Sequence, residues 1–525
     1  MKNIFFLILF SFLSFTAFSQ TSISGNIVDE NNLPVIGANI LAEGTSVGTI
    51  TGIDGDFTLD VPAGVENIVI SYTGYQSQTI PLQGQTQFFI TMAEGQVLDE
   101  VVVTALGVSR DEKALGYAVQ TVSSESIKDA NTVSAIDALA GSAAGVQVTQ
   151  ASGAAGAASR IVLRGQTSFN GNNQALIVVD GVRLDNSEFH SERSLGGVAN
   201  SNRAMDINPN DIENVSILKG AAATALYGIE GARGVVLITT KRGSSAGLKV
   251  DVGTGMTFSN INNVVGLNDE YTQGWSGQWA GPSTAFIPSA VSWGAHKDDL
   301  YWDGSDYKWD KNGQLTTDAT AGPKFVPYDN VNNFFETGTT WNTNIAISGG
   351  SEAADYRFSF GHSDEKGVAP NNTFTRYNLG LNLGSKALDD KLDLRFTANY
   401  AKTGGNRVQQ GSNISGVMLG LLRTPISFDN ANGNVDPAND VSSYQFEDNS
   451  QRNYRAGGGY DNPFWIVNNT PFNDNVNRFF GNISASYAFS DWVNLRTTLG
   501  TDFYTDNRTQ RFELGSRNAP AGQVI

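Results

Sequence analysis

The chain has 525 residues and a net charge of −18, with 34 Lys and Arg against 52 Asp and Glu. So acidic a chain lacks the basic footprint that phosphate backbones require, which argues against nucleic acid as a partner. It contains no Cys, which removes a disulfide framework, a thiolate metal site and a lipid-bearing cysteine. Glycine is abundant at 57 residues while charged residues make up only 16%. That balance suits amphipathic β-structure better than a soluble enzyme, and the length predicts several domains.

Met1-Lys2-Asn3 is followed by an apolar run over residues 4–18, with the small residues Ala17 and Ser19 at its end. A basic start, a short greasy centre and a small-residue pair predict a secretory signal peptide over 1–19, cut after Ser19. The run is shorter than the roughly 20 residues a spanning helix needs. Beyond it no other run is long enough, so an exported chain of this kind enters a membrane only as a β-barrel.

Residues 20–94 contain short alternating runs at 23–28, 38–42, 57–61, 67–72 and 87–92, separated by turn clusters. Asp54-Gly55 predicts a tight hairpin turn, since glycine accepts positive φ there. The series G-N-I-V-D, P-V-I-G-A-N-I, D-G-D-F-T-L and S-Y-T-G-Y resembles the carboxypeptidase-regulatory-like domain. That resemblance implies a non-catalytic, immunoglobulin-like β-sandwich.

Residues 95–110 link this module to the next, and within them Leu98, Asp99, Glu100, Val101, Val102, Val103 and Thr104 form an acidic pair leading into a valine run. By itself this is one short strand, which an edge of the preceding domain would also explain. Placed between two domains, it is similar to the TonB box of the SusC family of TonB-linked outer-membrane proteins. A β-branched strand with free edges joins a partner's sheet by strand addition.

Residues 111–243 carry the longest ordered pattern. RIVLRGQTSFNGNNQALIVVDGVRLDN is followed by DINPNDIENVSILKGAAATALYGIEGARGVVLITTKRG. Strands are predicted at 145–150, 161–164, 176–180 and 215–218, a helix over 132–140 from apolar spacing, and a helix start at Asn208-Pro209-Asn210-Asp211. The segment closely resembles the plug domain of TonB-dependent outer-membrane receptors of the SusC/RagA type. Gly165, Gly181, Gly220, Gly228, Gly231 and Gly234 occupy that family's turn positions, where positive φ or close backbone approach is expected.

From 244 to 525 the pattern changes to long alternation. Tyr356, Phe358 and Phe360 alternate with Arg357 and Ser359; Tyr377, Leu379, Leu381 and Leu383 alternate with Asn378, Gly380 and Asn382. Segments near ten residues, apolar outward and polar inward, predict outer-membrane barrel strands, although a soluble sandwich has the same period. A charge is accordingly expected to be harmful at Leu381 and tolerated at Asn382. PNNTFTRYNLGLNLG also resembles the SusC family. The family's complete barrel has 22 strands around the plug, whereas eight to ten fit here, so the chain is expected to be an N-terminal piece with an incomplete barrel.

His190, His296 and His362 are scattered in loop-like contexts, and no nucleophile, phosphate-loop or zinc motif is present. No cofactor or metal site and no enzymatic activity are expected. The notable cluster is aromatic: Trp275, Trp279, Trp293, Trp302 and Trp309, with Tyr271, Tyr301 and Tyr307 among them. Flat rings beside carboxylates suit sugar contact, but they equally serve to anchor barrel rims or pack long loops.

The fold class expected is mainly β: an N-terminal immunoglobulin-like sandwich, an α+β plug, and the first part of a transmembrane antiparallel barrel. The resemblance implies an outer-membrane importer of oligosaccharides or peptides, coupled to TonB with its ExbB/ExbD energy supply and covered by a SusD-like surface lipoprotein. The module and box would then be periplasmic. Two alternatives stand beside it, a siderophore- or cobalamin-type receptor and a non-transporting adhesion or structural barrel.

Overall fold

The computed structural model describes residues 21–524 except 31, 44, 46, 73–74, 76, 94–100, 104–108, 112–118, 167–168, 170–172, 188–196, 245–246, 263–264, 283–290, 412–415, 456–458, 491 and 518–522. The expected signal peptide, His190 and the box residues Leu98, Asp99, Glu100 and Thr104 lie outside the described residues. The chain divides into two compact units, the first ending around the box and the second containing nearly everything after residue 117.

The first unit is a two-sheet sandwich of β1 (Thr21–Asp29), β2 (Asn39–Ala42), β3 (Gly48–Ile50), β4 (Asp56–Val61), β5 (Asn67–Ser71), β6 (Gln78–Pro81) and β7 (Gln87–Met92). One sheet has the order β4-β1-β7 and the other β3-β2-β5-β6. Strict alternation in β4 and β7 sends Phe57, Leu59, Val61, Phe88, Ile90 and Met92 into a core shared with Ile23, Ile40, Ile68 and Ile70. Gly55 takes φ +76° in the predicted hairpin turn. The additional strands β3 and β6 have few apolar residues, and Pro81 ends β6, so neither stands out in the sequence.

Two short strands follow, β8 (Val101–Val103) and β9 (Ser109–Asp111), which among the described residues form a two-stranded sheet with each other. The second unit begins with β10 (Val119–Ser123) and α1 (Ser124–Asp129), then β11 (Val146–Gln150), β12 (Ser159–Leu163), β13 (Leu176–Val179), β14 (Val182–Leu184), β15 (Ile212–Leu218), α2 (Ala221–Tyr227) and β16 (Val235–Thr240). A five-stranded sheet ordered β10-β15-β16-β13-β14 and a β11–β12 hairpin surround one apolar core. The helix expected over 132–140 is instead a series of turns ending in a single 3₁₀ turn, Asp137–Leu139. The Ser134 hydroxyl accepts from the amides of Ile136 and Asp137, and a segment this short cannot repay helix nucleation. Its spacing still buries Ile136, Ala138 and Leu139. Pro209–Asp211 is likewise one 3₁₀ turn leading into β15. Five of the six predicted glycines have positive φ; the sixth, Gly231, sits where a Cβ would collide with the Ala223 carbonyl.

The third region is an antiparallel meander. It starts at β17 (Lys249–Ser259). The long segment that follows holds the small hairpins β18 (Gly274–Trp275) with β19 (Gln278–Trp279) and β20 (Tyr301–Trp302) with β21 (Leu315–Thr316). It continues through β22 (Gly338–Gly350), β23 (Ala354–Lys366), β24 (Thr373–Ala387), β25 (Leu392–Arg407), the helices α3 (Val417–Arg423) and α4 (Pro463–Asn469), β26 (Phe472–Ser490), β27 (Val493–Phe512) and β28 (Gln523–Val524). Eight of these strands form one sheet ordered β17-β22-β23-β24-β25-β26-β27-β28, a partly closed wall. From β22 onward they run to 13–20 residues up to β27, not the ten expected. About 9–11 tilted residues suffice to cross a bilayer, so these strands are longer than a crossing requires. Short turns join the strands at one end, and the long segments 260–337 and 408–471 lie at the other. No helix among the described residues is long and apolar enough to cross a membrane.

The sense of the alternation identifies the wall. Leu379 is 54% exposed, as are Phe358, Tyr377, Leu383, Ile483, Leu499 and Phe503 to similar degrees, while Arg376, Asn378, Asn382 and Arg478 on the other face are buried. Apolar residues face out and polar residues face in. That is the reverse of a soluble sandwich and the pattern of a membrane wall around polar contents. A concavity of about 470 Å³ lined by Ile345, Phe358, Leu379, Leu381 and Tyr400 lies on this outward face; it is a lipid-side dent.

Candidate functional site

The strand expected to be the box comes first in the chain. β8 holds Val101, Val102 and Val103 in extended conformation against β9. A pair of three-residue strands has little stability of its own. Exchanging β9 for a longer partner strand would therefore cost little.

The plug is held against the inner wall by arginines that the wall strands supply. Arg478 of β26 is 1% exposed. It donates to both Asp502 oxygens of β27 at 2.8 and 2.7 Å, and to the plug carbonyls of Arg203 at 2.7 Å and Asp185 at 3.0 Å. It also meets the Asp206 carboxylate at 3.3 Å, which pairs with Arg203 at 3.4 Å and accepts from Thr403 at 3.0 Å. Arg376 of β24 donates to the carbonyls of Val133 at 2.6 Å and Met205 at 2.9 Å. Arg407 of β25 is bidentate with Asp474 and donates to the Ala155 carbonyl at 3.0 Å. Arg357 of β23 pairs with Asp211 at 3.0 Å. A guanidinium presents five donors in a rigid fork, so one side chain can tie a wall strand to two or three plug carbonyls at once.

Asn side chains complete the seam. Asn378 donates to the Asp206 carbonyl at 2.8 Å, and Asn482 to that of Asp180 at 2.9 Å. Asn382 donates to Thr240 and to the Lys241 carbonyl, both at 3.3 Å. This corrects the expectation that Asn382 tolerates a charge: the position faces packed plug, not water. On the plug side, burial pushes the Asp206 carboxyl up, with Arg203 and Arg478 pulling against it. Burial also pushes Asp180 up against its bonds from Thr240. Lys241 is pulled down to about 8, first by burial and then by the neighbouring Lys128.

The outer segments 260–337 and 408–471 pack on each other. Gln273 reaches the Tyr454 carbonyl at 2.9 Å, and Asn330 reaches that of Phe428 at 2.8 Å. Tyr328 donates to Asp310 at 2.9 Å, where burial raises the carboxyl. The five tryptophans divide here. Trp302 is buried with Phe325 and Leu315, and Trp309 with Phe428 and Tyr454. Trp279 is half-buried beside Tyr307. Only Trp275 and Trp293 are exposed. The Trp293 amide donates to the carbonyl of Gly274, the chain neighbour of Trp275, and the Tyr271 and Trp293 ring centroids are 5.5 Å apart. His296 stands edge-on to Tyr271 at 5.4 Å. No group of three or more carboxylate or imidazole side chains is placed to hold a metal among the described residues.

The wall arginines were absent from the sequence-based candidates. Their signal is positional: Arg357 lies between Tyr356 and Phe358, and Arg376 and Arg478 each precede an aromatic residue of the opposite face, Tyr377 and Phe479.

Residues 111–235 match the TonB-dependent Receptor Plug Domain, and residues 23–103 match the CarboxypepD_reg-like domain. TonB-dependent receptor SusC of Bacteroides thetaiotaomicron is 29% identical over 97% of this chain and 47% of its own length. TonB-dependent receptor P39 of Formosa agariphila is 31% identical over 79% of this chain and 36% of its own. The chain spans about half, or less, of the length of the curated relatives it matches. The RagAB peptide importer in its open-open state superposes with a TM-score of 0.59 at 24% identity, over 79% of this chain and 43% of that one, which shows a shared fold.

Proposed function

Because this chain is a SusC/RagA-type TonB-dependent receptor by its two domains and its relatives, we propose that it serves in energised import across the bacterial outer membrane. The observation that carries the reading is the seam: a plug fills the inner face of a membrane wall and is held there by buried arginines. A path through such a wall exists only when the plug is moved, and moving it requires work. The outer membrane has no ATP, so the work comes through a periplasmic handle.

The handle is the box strand. TonB, driven by ExbB/ExbD, would take Val101, Val102 and Val103 into its own sheet and pull on the connection into β10. The plug strands nearest that connection would give first. Substrates are oligosaccharides or peptides, delivered under a SusD-like lipoprotein; similarity to SusC and to a peptide importer supports both classes. Among the five tryptophans, Trp275 and Trp293 with Tyr271 are the ones free to touch a substrate. Trp302 and Trp309 serve loop packing. The box and the CarboxypepD_reg-like module favour this reading over a siderophore-type receptor or an adhesion barrel. The protein is a transporter component rather than an enzyme.

Val102→Pro tests the coupling. Proline removes a backbone donor and cannot sit inside an added strand. Uptake should fall to background while surface level and plug folding stay unchanged. Normal energised uptake by this variant would refute the assignment of the box.

A further inference from the structure

The N-terminal module differs in charge from everything after it. Between Thr21 and Ser109 there are ten carboxylates and no Lys, Arg or His. One end of the module is also apolar on its surface. β1 and β7 run parallel, with Asp29 opposite Met92, so both finish at that end. The loops at 33–37 and 51–55 are clipped together there: the Gly37 amide donates to the Thr51 carbonyl at 3.1 Å, and the Thr51 hydroxyl donates to the Val35 carbonyl at 2.6 Å. These loops and the end of β3 present Leu33, Ile36, Ile50 and Ile53, each between 50% and 75% exposed, in contrast to the buried Val35 between them. Glu30, Asp54 and Asp56 rim the patch.

This is the end from which the chain leaves for the box. Six residue steps separate Met92, the end of β7, from Leu98, so by chain length the box begins within about 22 Å of the end of β7. The apolar patch and the box are therefore offered together.

We propose that this end of the module is a docking surface for a cationic protein domain, namely the domain that takes the box strand. The proposal rests on the box reading above. Four exposed aliphatic side chains supply apolar area, and a rim without a single cation selects a basic partner and speeds its approach. An anionic lipid surface is repelled by the same rim. So is a second copy of the module, since both faces would be acidic. A tether this short makes the second contact effectively intramolecular, so weak docking at the patch strengthens capture of the box.

The test uses the full chain in detergent, with the soluble periplasmic domain of the host's TonB as probe, at low and physiological salt. Ile36→Ser with Ile53→Ser should weaken binding about tenfold, the loss of one interface anchor, with the module's melting unchanged. If the pair lowers melting, Ile53→Ser alone gives the same reading at the most exposed of the four. Glu30→Lys with Asp54→Lys should slow association and flatten its salt dependence. Wild-type affinity in the isoleucine variants, with binding lost in Val102→Pro, would overturn the docking surface and leave the transport reading intact. Loss of self-association instead of probe binding would make a second copy the occupant and overturn it too. No binding by the unaltered chain would refute the box reading itself.

Discussion

The N-terminal sandwich and the membrane wall are written in the same two-residue period and fold with opposite polarity. In β4, Phe57, Leu59 and Val61 point into the core and their neighbours face water. In β24, Arg376, Asn378 and Asn382 point inward against the plug, while Tyr377, Leu379 and Leu383 face out. Periodicity therefore fixes a strand and its two faces but not which face is enclosed. What decides is the content each sheet surrounds: aliphatic side chains in one case, and plug carbonyls and carboxylates in the other.

The strongest way to break the comparison is to remove an inward cation. Arg478→Ala leaves Asp502 buried without its cation, leaves Asp206 to Arg203 alone, and strips donors from two plug carbonyls. Removing one member of a buried pair costs about 3–5 kcal/mol. The plug should become sensitive to protease in purified protein, while the sandwich melts as before; an unchanged plug would mean the seam is not what holds it. In the sandwich the same lesion has an apolar form. Leu59, 4% exposed, cut to Ala should cost about 2–5 kcal/mol through lost burial and a cavity. It should unfold the first unit only, read as loss of its melting transition with surface level kept.

The outward face gives the next effect. Leu381→Arg places a charge toward lipid, at about 2–4 kcal/mol near mid-membrane, and should reduce assembled protein in the membrane. Asn382→Arg should also reduce it, by displacing the plug backbone at Thr240 and Lys241. The two differ in what remains: the lipid-face variant should recover in detergent, and the seam variant should not. Equal recovery would mean the register is misread.

How much of this was legible depended on whether a feature is local. Gly220 and Gly228, both at positive φ around α2, could be placed because their conformation belongs to the chain's own path. So could the alternation of Tyr377 through Leu383. The roles of Arg376, Arg407 and Arg478 could not, since their partners lie 67–293 residues away apart from Asp502 and Ser363. The tryptophans show the same limit. Trp302 and Trp293 look alike in sequence, and only the folding of residues 260–337 buries one and exposes the other. The segment at 132–140 failed differently: its apolar spacing was real, but Ser134 spent its hydroxyl on local turns.

The smallest expected effect tests the plug's own end of the seam. Lys241 donates to the Asn210 carbonyl at 2.8 Å, and burial together with Lys128 pulls its pKa down to about 8 from the ordinary 10.5. The folded plug therefore releases this proton more readily than the unfolded chain does. Between about pH 8 and 10.5 the unfolded state binds more protons, so plug stability rises with pH across that window. The full benefit is present above 10.5 and is lost as pH falls through 8. Partial exposure of the ammonium keeps the slope shallow, because solvent screens part of the interaction. Lys241→Met removes the titrating group and keeps the stem that packs there. Thermal melting of the second unit should then show a flatter pH dependence from 8 to 10.5 than the unaltered chain, with little change in melting near pH 10.5. An identical slope in both proteins would assign the proton release to another group and leave Lys241 as a plain structural donor.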